Sequence, residues 1–474
     1  MTGAVTLNGG TVQTNSLPAS FQTRTLSIVN ATGGVTGAFS SVATTGDTGP
    51  AFGSPRLRYD SNNAYLVYDP NRLQLTGAGS NQNGIAAALN NAVAAGGVPP
   101  AAFDALFGLS GAAQANAVNQ LSGQMAGGAA LGAMQMTNGF LSLMLNPYGG
   151  APGANPGVLG YARALGASEI HSPEVAEAYA AAMPVKAEPA RSQSWSLWAQ
   201  SYGGYNRTDG SVAAGTADTT ARTLGFAAGA DYRAGPDTTL GFAQAAGRLN
   251  WRLAQGLGGG RSDVLMTGAY LSHRVGAAYV SAAAAHAWHE MHTNRTVTVA
   301  GSDVFDASFD AHSIGGRLEA GYRLAAWTLS VTPYVAGQVQ TFRTPGYGET
   351  VTTGANTFAL TYSARRTTAT RFELGSWFDT LFAIPNGGGV IMLRGRVAWA
   401  HDDGGDGGIN ATFQTLPGAA FVVNGAAAPD NIALVSAGGE LRLAHGFSFG
   451  ARFDAELSGR AQTYAGTGTL RYAW

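Results

Sequence analysis

Positions 464–474 alternate strictly. Tyr464, Gly466, Gly468, Leu470, Tyr472 and Trp474 share one parity, and Ala465, Thr467, Thr469 and Arg471 occupy most of the other. A strand sends alternate side chains to opposite faces, so this segment has an apolar, aromatic face and a polar face. The pattern recurs upstream. Phe447, Phe449, Phe453 and Leu457 oppose Ser448, Arg452, Asp454 and Glu456, while Leu441 and Leu443 oppose Glu440 and Arg442. Ile391, Leu393, Val397 and Trp399 oppose Arg394 and Arg396, and Phe372 and Leu374 oppose Arg371 and Glu373. Leu318 and Tyr322 oppose Arg317, Glu319 and Arg323.

Read this way, everything from Trp195 onward is strand. Twelve strands are predicted near 195–205, 221–232, 238–250, 263–274, 277–288, 311–324, 327–341, 368–383, 390–401, 431–443, 447–457 and 462–474. Their connections alternate in length. Gly235-Pro236-Asp237, Gly276, Ala325-Ala326, Ala444-His445-Gly446 and the 384–389 link are short, whereas 290–310, 342–367 and 402–430 are long loops. An even strand number with short turns at one end and long loops at the other fits a closed antiparallel barrel of the bacterial outer membrane. An Arg on the lipid face would cost about 2–4 kcal/mol near the midplane. The charged parity is therefore expected to line the lumen: Arg317, Glu319, Arg323, Arg371, Glu373, Arg394, Arg396, Glu440, Arg442, Arg452, Asp454, Glu456 and Arg471. Such a wall is a salt-bridge lattice, a low-adhesion chute for a polypeptide, or both.

The pattern changes ahead of the barrel. Residues 1–80 hold short strands punctuated by Gly and Asn, as in stacked β-coils, with too few rungs to set a repeat period. Residues 81–150 show helical spacing, with Ile85, Leu89 and Val93 followed by Gly96-Gly97, and Val118, Leu121 and Met125 as a second stripe. Those stripes read as helices packed on one another or on the coil end. Residues 151–192 read as a linker with one helix, starting at Ser172-Pro173-Glu174 and ending near Met183. The fold class is thus all-β with a helical linker: a twelve-stranded barrel (193–474) preceded by a helix for its pore and a short β-helix end.

Composition narrows the reading. Charged residues are 12% of 474, about half the globular average, and Gly numbers 68. Lys+Arg is 27 and Asp+Glu 28, so no global charge attracts nucleic acid. With no cysteine there is neither a disulfide framework nor a thiolate metal site. The most apolar stretch, 129–145, is interrupted by Gln135, Thr137 and Asn138, which argues against a membrane-spanning helix. Met1-Thr2-Gly3 opens no export signal, so a barrel precursor is expected to extend upstream.

Several motifs carry a resemblance. WSLWAQSYGG at 195–204 and LRYAW at 470–474 look like the first and last barrel strands of autotransporters of the type V secretion pathway. LSIVNATGGVTGAF at 26–39, followed by RLRYDSNNAYLVY at 56–68, resembles the segment that closes their β-helical passenger and assists its folding. The likeness extends over essentially the whole chain. It implies a non-enzymatic, cofactor-free translocator that exports its own passenger to the cell surface. The implied partners are outer-membrane lipid, periplasmic chaperones and the barrel-assembly machinery. That machinery would read Leu470, Tyr472 and Trp474, and the working unit would be a monomer. Some relatives cut their passenger at an Asn-Asn pair in the pore helix. Asn90-Asn91 lies about a hundred residues before the barrel, so that cleavage is not carried over. A free-standing porin or surface adhesin is the alternative.

Three other motifs suggest chemistry without supplying it. Gly446-Phe447-Ser448-Phe449-Gly450 matches a nucleophile elbow, but that motif needs a following helix and here it opens a strand. His286, His289 and His292 straddle two strand faces, so no metal site is assigned. The Asp402–Gly408 stretch lacks the order and the closing Glu of a calcium loop and is expected to be a flexible loop.

Overall fold

The structure is a computed structural model. It describes residues 1–145 and 194–474, apart from 48, 50, 327–328, 385–388, 405–407 and 444–445. The expected helix at 172–183, its linker, most of the Ala444-His445-Gly446 turn and the centre of the 384–389 link lie outside the described residues.

The N-terminal segment holds β1 (Val5–Asn8), β2 (Thr11–Asn15), β3 (Arg24–Asn30), β4 (Val35–Ala38), β5 (Ser41–Thr45), β6 (Pro55–Tyr59) and β7 (Asn63–Tyr68). β1 pairs in parallel with β4 and β2 with β5, in registers Val5↔Val35 and Thr11↔Ser41. Both pairs are offset by 30 residues, so two successive coils of chain stack on one another. The antiparallel sheet β3-β7-β6 then ends the stack.

Helices follow: α1 (Ser80–Ala94), a 3-10 segment (Ala101–Gly108), α2 (Gly111–Gln120) and α3 (Met125–Met144). Ile85, Leu89 and Val118 are fully buried, as their spacing implies. Asn90 is more than a surface residue, because its amide both accepts from Leu73 N (2.8 Å) and donates to Leu73 O (2.9 Å). Asp104 likewise ties the coil to the helices, accepting from Ser20 Oγ at 2.7 Å and Phe21 N at 2.8 Å.

The remainder is strand: β8 (Trp195–Thr208), β9 (Thr219–Arg233), β10 (Thr238–Leu253), β11 (Gly259–Val275), β12 (Ala278–Val297), β13 (Asp303–Tyr322), β14 (Leu324–Ala326), β15 (Leu329–Thr344), β16 (Tyr347–Gly348), β17 (Thr350–Thr353), β18 (Leu360–Tyr362), β19 (Arg365–Ile384), β20 (Gly389–Gly404), β21 (Ile409–Phe413), β22 (Leu416–Val423), β23 (Asn431–Arg442), β24 (Phe447–Leu457) and β25 (Ala461–Ala473). Twelve of them close a cylinder in the order β8 to β13, β15, β19, β20, β23, β24, β25. Closure is made by β25 on β8, in register Tyr472↔Leu197, and by β13 on β15, in register Gly316↔Val339. With no edge strand left open, every strand in the wall satisfies its backbone against two neighbours.

The sequence-predicted loops differ in detail. The 290–310 connection is mostly strand, because β12 runs to Val297 and β13 restarts at Asp303. Ala325 and Ala326 pair with Ser330 and Leu329 as strand, so that connection falls at 327–328, outside the described residues. The two other long connections carry β16 to β18 and the β21–β22 hairpin, which join in one small sheet, β16-β18-β21-β22. That sheet, not open solvent, meets the helices. Phe103 packs edge-on against Phe358 and Phe413 at 4.8 and 5.1 Å between ring centres.

Candidate functional site

The barrel is occupied. α3 runs inside it, along β9 to β13 and β15. The wall there is built of small residues: Ala221, Ala227, Ala243, Ala245, Ala283, Ala285 and Ala287 are all buried. Glycines let helix and wall approach. A Cβ at Gly128 would come within 2.7 Å of the Trp251 ring, and one at Gly132 within 2.6 Å of Leu249. On the wall itself, a Cβ at Gly268 would meet Met144 at 2.6 Å. Trp251 Nε1 donates to Met125 O at 2.9 Å, fixing the depth of the helix. α3 is therefore apolar because it faces a dry alanine wall, not because it crosses lipid; no described helix is long and apolar enough to cross a membrane.

Its less buried stripe is Gly127, Leu131, Gln135, Asn138, Gly139 and Ser142. This stripe turns to the opposite half of the lumen, which is ionic. Arg317 Nη1 and Nη2 donate to Glu373 at 2.6 and 2.8 Å, and Nη2 also to Glu319 at 2.8 Å. Tyr279 and Tyr334 complete that cluster by donating to Glu319 (2.8 Å) and Glu373 (3.1 Å). Arg371 chelates Asp402 on the neighbouring strand and reaches Glu456 on β24 at 3.0 Å. Arg396 lies over the Trp377 ring at 5.2 Å and within 4 Å of Glu373 and Asp454. Between these groups and α3 lies a partly open cavity of about 150 Å³, lined by Asn138, Arg317, Arg396, Arg452 and Glu456 among others.

Of the remaining charged positions, Arg452 and Asp454 border the same cavity, and Arg323, Arg394, Glu440, Arg442 and Arg471 lie nearer the short-turn end. Arg452 bonds Asp454 at 2.7 Å, and Arg442 bonds Glu440 at 3.1 Å. Arg323 pairs with Asp379, and Arg394 contacts Met392 Sδ at 3.6 Å. Arg471 bonds Ser196 Oγ at 2.8 Å and pairs with Asp231, stitching β25 across β8 to β9 where the barrel closes. The lumen set expected from the sequence omits Asp231 and Asp379, and also Asp402, which it assigns to a flexible loop but which lies in strand β20. Each shares the inward parity of its strand, the same signal that marked the others.

Leu470, Tyr472 and Trp474 point outward and are half exposed, Tyr472 stacked between Phe447 and Trp474. They join an outer face of exposed apolar side chains that includes Leu197, Phe226, Phe242, Leu265, Trp288, Leu318, Phe372 and Leu393. His289 faces inward and is held by Ser313 Oγ at 2.9 Å, while His286 and His292 take the outward parity. Asp402 is committed to Arg371, and Ser448 sits inside β24 with no helix after it.

A second polar centre links the long loops to the helices. Arg295 donates to Glu349 through Nε (2.7 Å) and Nη2 (2.6 Å), both side chains being 1% exposed. Arg295 also donates to Gln120 O on α2 (2.8 Å) and Phe358 O (2.6 Å). Glu349 further accepts from Leu360 N (2.8 Å) and Tyr362 OH (3.0 Å). One ion pair thus clasps β12, two loop segments and the helical cap.

A closed cylinder of twelve strands, greasy outside and ionic inside, is a β-barrel of the bacterial outer membrane. The model of the autotransporter beta-domain family matches residues 197–454, more than half of the chain. The chain belongs to that family: it is a translocator domain that inserts in the outer membrane and exports its own N-terminal passenger. Among solved structures, the translocator domain of autotransporter NalP from Neisseria meningitidis is similar at 13% identity, over 59% of this chain and 88% of that one, with a TM-score of 0.48. The beta domain of the Bordetella autotransporter BrkA gives 16%, 59%, 100% and 0.44. The transport unit of the autotransporter AIDA-I from Escherichia coli gives 14%, 62%, 93% and 0.40. No curated protein sequence matches the chain.

Proposed function

We propose that residues 1–80 are the trailing end of the exported passenger, held at the cell surface, and that α3 is the segment left in the pore once export is finished. The supporting observation is the path of the chain. α3 begins at the loop end, where Gly127 abuts Gly425, and ends within the lumen with Met144 against Gly268, whereas β8 begins at the opposite, short-turn end beside Trp474. α3 thus enters the lumen from the loop end and runs toward the end at which β8 begins. The ionic half-wall offers a passing chain a hydrated surface whose charges are already paired. The β3-β7-β6 sheet seals the last coil and gives the emerging passenger a folded edge to build on. Leu470, Tyr472 and Trp474 are the strip read by the barrel-assembly machinery after periplasmic chaperones deliver the chain. The translocator works as a monomer, needs no cofactor and catalyses no reaction.

Ion conductance in planar bilayers tests the pore assignment. The full chain should conduct poorly, and the Gly128→Leu/Gly132→Leu variant, whose helix cannot seat on Trp251 and Leu249, should conduct well. Equal conductance would overturn it. Surface orientation is checked separately, by protease access to an N-terminal epitope on intact cells.

A further inference from the structure

The outer wall carries one arrangement that a lipid-facing surface should avoid. Arg343 on β15 lies directly opposite Arg366 on β19, and on its other side it lies opposite His312 on β13. All three side chains are exposed and take the outward parity. Directly opposed residues hold their Cβ atoms about 4.5–5.5 Å apart, and like charges so placed repel. Among the described residues, neither guanidinium meets a carboxylate. Two other arginines of the outer wall do, since Arg248 bonds Asp263 at 2.7 Å and Arg207 reaches Asp218 at 3.0 Å, and none of the rest lies directly opposite a second arginine. The nearest acids on this side, Asp310 and Glu290, face each other one outward position further along β13 and β12.

The height of the pair follows from the strands. With about 3.3 Å of rise per residue and a tilt near 40°, each residue advances roughly 2.5 Å along the barrel axis. On β19 the outward apolar positions run from Phe382 to Phe372, ten residues. That is about 25 Å, the expected thickness of the apolar band. Thr370 and Thr368 follow, then Arg366. On β15 the band ends at Val339, then Thr341, then Arg343. On β13, His312 stands immediately above exposed Ile314. By that rise Arg343 and Arg366 stand about 10 and about 15 Å beyond the last apolar outward residues of their strands, clear of the hydrocarbon on the loop side, and next to the bonded hydroxyls of Thr341 and Thr368.

We infer that Arg343, Arg366 and His312 form a binding site on the barrel's outer wall for the phosphorylated headgroup of a lipid in the outer leaflet. Two forks of N–H donors on directly opposed residues, with no carboxylate partner among the described residues, match a phosphate dianion, whose charge offsets their mutual repulsion. The acyl chains of the same lipid would lie along Ile314, Val339 and Phe372. The site rests on the outer-membrane placement of the barrel and is independent of how the passenger moves.

Native mass spectrometry of the full chain from detergent micelles tests the assignment. The probes are a hexa-acyl diglucosamine bisphosphate, its phosphate-free counterpart and inorganic phosphate. The wild type should retain the bisphosphate and release the phosphate-free lipid. Arg343→Gln/Arg366→Gln should weaken retention by at least about tenfold, and Arg343→Lys/Arg366→Lys by less, because the bidentate forks are lost but the charge stays. Arg248→Gln, on the same outer wall, should change nothing. Compactness on unheated gels reports that each variant is folded. Equal retention by the folded double Gln variant would overturn the site. So would equal binding of the phosphate-free lipid, or displacement by millimolar inorganic phosphate, which would make it a free-anion site.

Discussion

Replacing Glu349 with Gln removes one charge from the clasp and leaves Arg295 buried against a neutral amide. Both side chains are 1% exposed, so water cannot take over the missing bonds without local opening. Gln can accept from one guanidinium nitrogen, but its own NH2 then points at Arg295, Leu360 N or Tyr362 OH. Breaking a buried, fully bonded pair on one side costs about 3–5 kcal/mol. At 1.36 kcal/mol per decade, that raises the population of an opened cap by roughly two to three and a half decades. The cost should stay local, because Arg295 joins α2 and the loops beyond the lipid-facing part of β12. Hydrogen exchange is the assay. Amides of 111–120 and 347–362 should speed up by that factor, while those of β10 and β11 keep their wild-type rates. Arg295→Met/Glu349→Leu should restore most of the protection, since an apolar pair of similar volume often matches a buried ion pair. If Glu349→Gln leaves the cap as protected as wild type, or opens the whole barrel with it, the clasp does not hold the cap.

Other outcomes follow from the same geometry. Val397→Arg, on the lipid face near the middle of the apolar band, should lower barrel stability by about 2–4 kcal/mol in refolding titrations, whereas Ser436→Arg on the inward face should tell through crowding of Arg396 and Asp454 instead. Arg371→Met leaves Asp402 and Glu456 facing each other without their cation, and should raise conductance and its cation selectivity. Asp60 is held below the usual carboxylate range by the Asn62 N–H first, then by Asn63 and Tyr65. A depressed carboxylate stabilises the fold above its unfolded value, and this is lost as pH falls through the folded one. Protection at Asn62 and Asn63, taken relative to the intrinsic exchange rate at each pH, should therefore fall on acidification, and Asp60→Asn should abolish that dependence.

The barrel was legible because lipid is an unforgiving solvent. It forces a period-two separation that shows in the wall strands β13, β19, β20, β23, β24 and β25, and the inward parity of those strands lists the ionic wall almost residue by residue. The lumen helix was less legible. A helix next to the first strand, well capped at Ser172, was the natural expectation, and 129–145 was judged only against lipid. The signal that identifies α3 is complementarity between distant segments. Gly128 and Gly132 stand one turn apart on the helix, and inner positions of β9, β10 and β12 are alanine where those of β13, β19, β20, β23 and β24 carry charges. Neither half means much alone. The clasp was missed for a related reason: Arg295 and Glu349 fall in stretches whose polarity reads as solvent-exposed loop, and only the folded loops bury them.

The division of the lumen into a dry half and an ionic half bears on how one barrel both passes a chain and retains a helix. An all-apolar wall would hold a passing polypeptide by burial, at about 25 cal/mol per Å² of apolar surface. An all-ionic wall with free charges would hold it by pairing. Here the charges are spent on one another, through Arg317 with Glu373 and Arg371 with Asp402 and Glu456, so a moving chain gains little by touching them. The alanine half is flat and featureless to most sequences. Only a segment with small residues at one-turn spacing can approach it closely enough to exclude water, as α3 does at Gly128 and Gly132. Retention is thus a property of one sequence meeting one wall. On this view, moving the Gly128/Gly132 pair by two residues along α3 should unseat the helix while leaving its composition, and the ionic lattice, untouched.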